Sequence, residues 1–177
     1  KACNTTTYSE WLSFTEQKFA ELSSSCDETF ICGISMGALI AMHISTLFPV
    51  NGLISAAPVL EFNKPFKINI LNPLLCHMFK SRPKKYEVNN GQSIYYGYNQ
   101  WPLIALNELR KLSKHVYNNV LSNVDCPALL IHSKDDKTAI ENAVHSIIGD
   151  IKKRVSTKRA NVVIIGIILE INFITFP

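Results

Sequence analysis

Residues 29–49 read TFICGISMGALIAMHISTLFP, and the reading of this stretch decides the fold. The apolar run ETFIC, Glu28 to Cys32, has the length and composition of a short buried strand. A turn follows through Gly33-Ile34-Ser35-Met36-Gly37, and Met36 to Leu47 then reads as an apolar helix with small residues on one side. Phe48-Pro49 ends it, because a residue before proline is pushed out of the helical region. NGLISAAPVL supplies a second buried strand, Gly52 to Ala56, closed by Pro58. Strand, helix and strand within about thirty residues make a βαβ unit, whose default is a parallel pair with a right-handed crossover.

Upstream, YSEWLSFTEQKFAELSSS puts Trp11, Phe14, Lys18, Phe19 and Leu22 at helical spacing, with Thr7 or Ser9 as the cap. Downstream, Leu60 to Gln100 loses any regular period. It holds three prolines, the basic cluster Lys80, Arg82, Lys84 and Lys85, and then YYGYNQWP, a composition of short helices and loops. WPLIALNELRKLSKHVYNNVLSNV restores an amphipathic helix, with Trp101, Ile104, Leu106, Leu109, Leu112, Val116 and Val120 on one face. Pro127 opens a third strand, ALLIH. The polar loop SKDDKT, a helix from Ile140 to Ile148 and the strand-like run NVVIIGIIL complete the pattern. The class is α/β: a mostly parallel sheet with flanking helices and an insertion before its third visible strand.

Composition narrows the function. The chain has 177 residues, 47% hydrophobic and 18% charged, which suits a single domain over 1–177 with a sizeable core. Its net charge of +4 comes mostly from KKRVSTKR, Lys152 to Arg159, a run that reads as a solvated face and not as a nucleic-acid surface. The five cysteines are scattered, with no C-x-x-C and no histidine at metal-ligand spacing, so no metal or cofactor is expected. Cys32 and Cys126 border strands and read as small buried residues, which favours a reducing, cytoplasmic setting. The apolar tail VVIIGIILEINFITFP is interrupted by Glu170 and Asn172 and is too short to span a bilayer. The start at Lys1, already approaching a helix, and the apolar finish at Pro177 lead us to expect part of a larger protein.

A serine hydroxyl attacks poorly until a base takes its proton and donors stabilise the oxyanion that forms. A tight strand-to-helix turn lifts Ser35 above the strand ends and leaves the N–H of Met36 unpaired at a helix N-terminus, where negative charge is favoured. Glycine at 33 and 37 is expected to remove collisions on that turn. Read without chemistry, the same residues are a glycine-serine turn. A carboxylate to orient the base is available in CPALLIHSKDDKTAI, where Asp136 and its neighbour Asp135 follow a buried strand. The alternative for both is a solvated acidic turn.

FICGISMGALIAMHIS, the SAAPVL strand and the stretch from Trp101 to Ile148, with the insertion between them, resemble the α/β-hydrolase superfamily, in particular its carboxylesterase and monoacylglycerol lipase branch. The resemblance runs from Tyr8 to about Asp150. The family's H-G-x-x-D-x-x-V-P loop stands here as His132-Ser133-Lys134-Asp135-Asp136-Lys137-Thr138-Ala139-Ile140, which assigns the acid to Asp136 and gives His132 a structural place. It also makes residues from about 60 to 100 a small helical cap over an acyl pocket. The family's histidine belongs after the last strand, in an N-S-x-H context. Of His43, His77, His115, His132 and His145, only His145 follows Asp136, and it reads as a helix-face surface residue. The resemblance fades near 160–165, and nothing before Tyr8 matches the H-G loop that gives the second oxyanion donor. The expectation is therefore an incomplete α/β-hydrolase fold. Its family activity is serine hydrolysis of small acyl esters, with Ser35 as nucleophile, Met36 in the oxyanion hole and Asp136 as acid. The alternative is an inactive remnant that at most binds a ligand or partner. Missing first strands leave sheet edges through which copies can associate.

Overall fold

The computed structural model describes residues 4–83, 100–133 and 149, together with the backbone of 164–169. The first helix, α1 (Tyr8–Ser23), begins at a capping box. Thr7 is extended at φ −103°, its Oγ1 accepts from Glu10 N–H, and Glu10 Oε2 accepts from Thr7 N–H at 2.7 Å. Of the two caps open in the sequence, Thr7 is the one used. Leu12 and Phe19 are the buried residues of α1, with Tyr8 and Trp11 partly buried beside them. Phe14 and Leu22 are exposed instead, Phe14 by 65%. Phe14 lies about 140° around the helix from Phe19, off the packed stripe.

β1 (Phe30–Ile34), α2 (Met36–Leu47) and β2 (Gly52–Ala56) form the expected strand–helix–strand unit. β1 and β2 run parallel with Phe30 opposite Gly52 and Ile34 opposite Ala56. After β2 the chain passes through a π-helical turn, Lys67–Leu71, and α3 (Asn72–Leu75). The short strands β3 (Ser81–Pro83) and β4 (Gln100–Pro102) pair antiparallel, a feature the sequence did not suggest. Trp101 therefore belongs to β4 and not to the helix that follows. That helix, α4 (Leu103–His115), starts after Pro102, which lacks an N–H and is best placed at a helix beginning. α4 runs into a π-helical turn, Val116–Val120. β5 (Ala128–Ser133) then pairs parallel with β2. β6 (Ile164–Leu169) pairs parallel with β5, past the point where the sequence resemblance fades. The sheet order is β1-β2-β5-β6. The helix expected from Ile140 to Ile148 lies outside the described residues.

The core lies on one face of the sheet. Leu39 and Met42 of α2, Leu53 of β2, Leu130 of β5, and Leu112 and Val116 from α4 and its extension are all but completely buried there, with Leu12 of α1 closing the cluster. Glu108, buried on α4, meets both of its needs. One carboxylate oxygen accepts from Lys111 Nζ at 2.6 Å and the other from Tyr8 N–H at 3.1 Å, which ties the start of α1 to α4. Ser113 Oγ donates to Val59 O at 2.6 Å and fastens α4 to the segment after β2.

Side chains alternate across a strand, so Phe30, Cys32 and Ile34 share the other face, joined by Ile54 of β2. All four are exposed. Two sequence readings change as a result. β1 stands at one end of the sheet order and is only partly buried, and Cys32 is exposed while Cys126 is buried as expected.

Candidate active site

Ser35 joins the end of β1 to the start of α2 with φ 56° and ψ −116°. A positive φ is sterically costly for any residue with a Cβ, and only two described non-glycine residues adopt one. One long-range and one local bond hold the strained peptide: Ser35 N–H donates to Ala56 O at 2.9 Å, across to the end of β2, and Ala38 N–H donates to Ser35 O at 3.2 Å within the first turn of α2. The side chain makes no capping bond to α2 and is exposed. Met36 is the first residue of α2, so its N–H has no acceptor within the helix.

The two glycines of the turn are not equivalent. A Cβ on Gly33 would lie 2.1 Å from Gly37 O, 2.4 Å from Gly37 C and 2.7 Å from Ala38 N. The close approach of β1 to the first turn of α2 therefore requires glycine at 33. A Cβ on Gly37 would meet nothing within 4 Å. The expectation that both glycines relieve collisions holds for Gly33 and is corrected for Gly37, whose missing side chain would point into open space.

The second residue of positive φ is Ala57, at 45°, the first residue past β2. Its N–H donates to Ile131 O of β5 at 2.7 Å. Since Ile34 pairs with Ala56 and Ala56 with Ile131, Ser35 and Ala57 sit side by side at the carboxyl edge of the parallel sheet. This is where open α/β sheets hold their ligands. No sequence signal marked Ala57, because alanine carries no preference for that conformation.

Asp135, Asp136 and His145 lie outside the described residues. Among the described histidines, none is hydrogen-bonded to Ser35. His132 is buried on β5, and neither of its ring nitrogens has a hydrogen-bond partner among the described residues. Ser55 Oγ on β2 shares that condition. His43 is bonded to Glu16 and faces His115, whose other nitrogen faces Asn119. His77 is exposed just after α3. A cleft of about 580 Å³ lies between the segment after β2 and α4, lined by Leu60, Phe62, Arg110 and Tyr117 among others, and Ser35 is not part of its lining. Among the described residues no group of three or more His, Cys, Asp and Glu side chains is arranged to hold a metal. No described helix is long and apolar enough to cross a membrane.

Solved structures give the arrangement a context. One of the metagenome-derived lipolytic enzymes LipS and LipT superposes over 95% of this chain and 65% of its own, with a TM-score of 0.76 and 22% identity. The chain has the α/β-hydrolase fold. A soluble variant of monoglyceride lipase from Saccharomyces cerevisiae matches 91% of this chain and 59% of its own at 15% identity, with a TM-score of 0.61. The monoacylglycerol lipase of Paleococcus ferrophilus matches 92% and 66% at 13% identity, with a TM-score of 0.63. The chain thus spans less than two thirds of the length of each of these α/β-hydrolase-fold proteins. No protein-family model matches the sequence, and no curated protein matches it.

Proposed function

We propose that this chain carries the nucleophile portion of a serine hydrolase acting on small carboxylic esters, of the carboxylesterase or monoacylglycerol lipase kind. The observation that supports it is the strained, exposed Ser35 at the carboxyl edge of a parallel sheet, held there by a glycine contact that admits no other side chain. In this reading Ser35 Oγ attacks the ester carbonyl carbon and gives its proton to a histidine base. The oxyanion is met by Met36 N–H, and the alcohol leaves with the proton returned by the base. Water then releases the acid from the acyl-enzyme. Asp136 orients the base, residues from about 60 to 100 cap the acyl pocket, and the setting is cytoplasmic. The exposed edge strand β1, with Phe30 and Ile34, is where a second copy would associate.

A second reading, an inactive remnant, is favoured by the histidines themselves. His43 is bonded to Glu16 and faces His115, and His132 is buried on β5. The test is covalent labelling with a fluorophosphonate probe. A longer version carrying strands before Tyr8 and an N-S-x-H segment after the last strand is expected to label, and to lose labelling on Ser35→Ala. The 177-residue chain is expected not to label, because loss of one triad member leaves only a small residual rate. Failure of the longer version to label would overturn the hydrolase reading. Stoichiometric labelling of the 177-residue chain would overturn the remnant reading.

A further inference from the structure

On the helical side of the sheet, three helical segments bring together polar groups that the proposed reaction does not use. His43 of α2 has Nε2 2.7 Å from Glu16 Oε1 of α1. Its other nitrogen, Nδ1, lies 3.4 Å from Nε2 of His115 at the end of α4. The remaining nitrogen of His115, Nδ1, lies 3.3 Å from the side-chain amide of Asn119, one turn further on. Each imidazole thus has its outward nitrogen held by an outer partner and its inward nitrogen turned toward the other ring.

We infer that His43 Nδ1 and His115 Nε2 form a two-imidazole site for a divalent transition-metal ion, zinc being the best fit, with Glu16 and Asn119 as outer partners and solvent completing the shell. Three observations carry this. First, 3.4 Å is long for an N–H···N hydrogen bond. It is, however, about the separation that a tetrahedral ion imposes on two nitrogens each about 2.0–2.1 Å away. The ring centroids, 5.3 Å apart, agree with that arrangement.

Second, Glu16 supplies the carboxylate–imidazole pairing typical of metal-bound histidine. By accepting from Nε2–H it leaves the Nδ1 lone pair pointing inward. Turning over the Asn119 amide, whose oxygen and nitrogen are assigned from the network, lets its oxygen accept from His115 Nδ1–H and frees the second lone pair. In that orientation two lone pairs would face each other, with a proton or a cation between them.

Third, the site is partly open. His115 is half-buried and Asn119 is exposed, so solvent ligands can reach an ion there, and Glu16 adds a negative charge. No local pattern of residues marks this pair, because His43 and His115 are 72 positions apart.

The test is zinc-dependent thermal unfolding of the 177-residue chain under reducing conditions. The midpoint is expected to rise with zinc concentration. The rise should vanish in His43→Gln and in His115→Gln, and persist in His77→Gln, whose exposed ring lies outside the cluster. Glu16→Gln is expected to weaken zinc binding by about 10- to 100-fold. Cobalt(II) gives a second readout on the unaltered chain: visible d–d bands without the thiolate charge-transfer absorption that cysteine ligation would add. This arm and Glu16→Gln remain decisive if either histidine variant fails to fold. No response to zinc up to millimolar concentration would mean that the pair is a hydrogen bond only and would overturn the inference. So would an undiminished response in both histidine variants, an unchanged affinity in Glu16→Gln, or a thiolate spectrum with cobalt.

Discussion

Replacing Gly33 and Gly37 with alanine, one at a time, separates two positions that look symmetrical in the sequence. The new Cβ at 33 would stand 2.1 Å from a backbone oxygen and 2.4 Å from a backbone carbon of the first turn of α2. Ordinary contact begins near 3.4 Å, so this turn must withdraw from β1 by about 1.3 Å. It cannot do so freely, because Ala38, Leu39 and Met42 in the same helix are completely buried. Overpacking costs about 1–3 kcal/mol when side chains can adjust, and here the obstruction is backbone, so we expect about 3 kcal/mol or more. For a chain of this length that lowers the unfolding midpoint by about 6–12 °C. Gly37→Ala meets nothing within 4 Å and lies inside α2, so it should be neutral or gain up to about 1 kcal/mol from helix propensity. Urea and thermal unfolding of both variants, followed by circular dichroism, measure the difference. Equal losses at the two positions, or a Gly33→Ala chain as stable as the parent, would refute the contact argument.

Three further outcomes follow from the same geometry. Ser35→Gly and Ala57→Gly each remove a Cβ from a positive-φ position and should stabilise the fold by up to about 1 kcal/mol in urea melts; a loss larger than about 1 kcal/mol in either would mean the backbone strain is absent. Thr7→Ala should cost about 1 kcal/mol by removing the cap of α1. The backbone N–H of Thr7, then its hydroxyl, holds the Glu10 carboxyl below its ordinary range. Because that folded-state value is depressed, the contribution is full above the unfolded carboxyl's pKa and fades as pH falls through the folded one. Carbon-detected NMR titration of Glu10 should therefore move only part of the way back toward the ordinary value in Thr7→Ala, which removes the hydroxyl and keeps the backbone N–H. Finally, burial pushes the Cys126 thiol up, and Cys126 is enclosed while Cys32 is exposed. Iodoacetamide should modify Cys32 in the folded chain and Cys126 only on unfolding; comparable rates at both, read by peptide mass spectrometry, would contradict the burial.

Much of the framework was legible in the amino-acid order because its causes are local. Pro49 and Pro58 end their segments, apolar content marks the strands, and the boundaries of α2 and β2 fell where the residues placed them. The glycine-serine turn announced its position in the same way. What the sequence could not decide depends on residues far apart in the chain. Which face of β1 is covered sets the exposure of Cys32, and that follows from what packs on each side of the sheet. Gly33 is obligatory and Gly37 is not because of where α2 crosses β1, and a repeated residue type cannot express this. Ala57 is strained by a bond to β5, 74 positions away. His43, His115 and Glu16 meet only because three helices pack on one face. Local sterics write themselves into short stretches of sequence, whereas contacts between distant segments exist only once the chain has closed on itself.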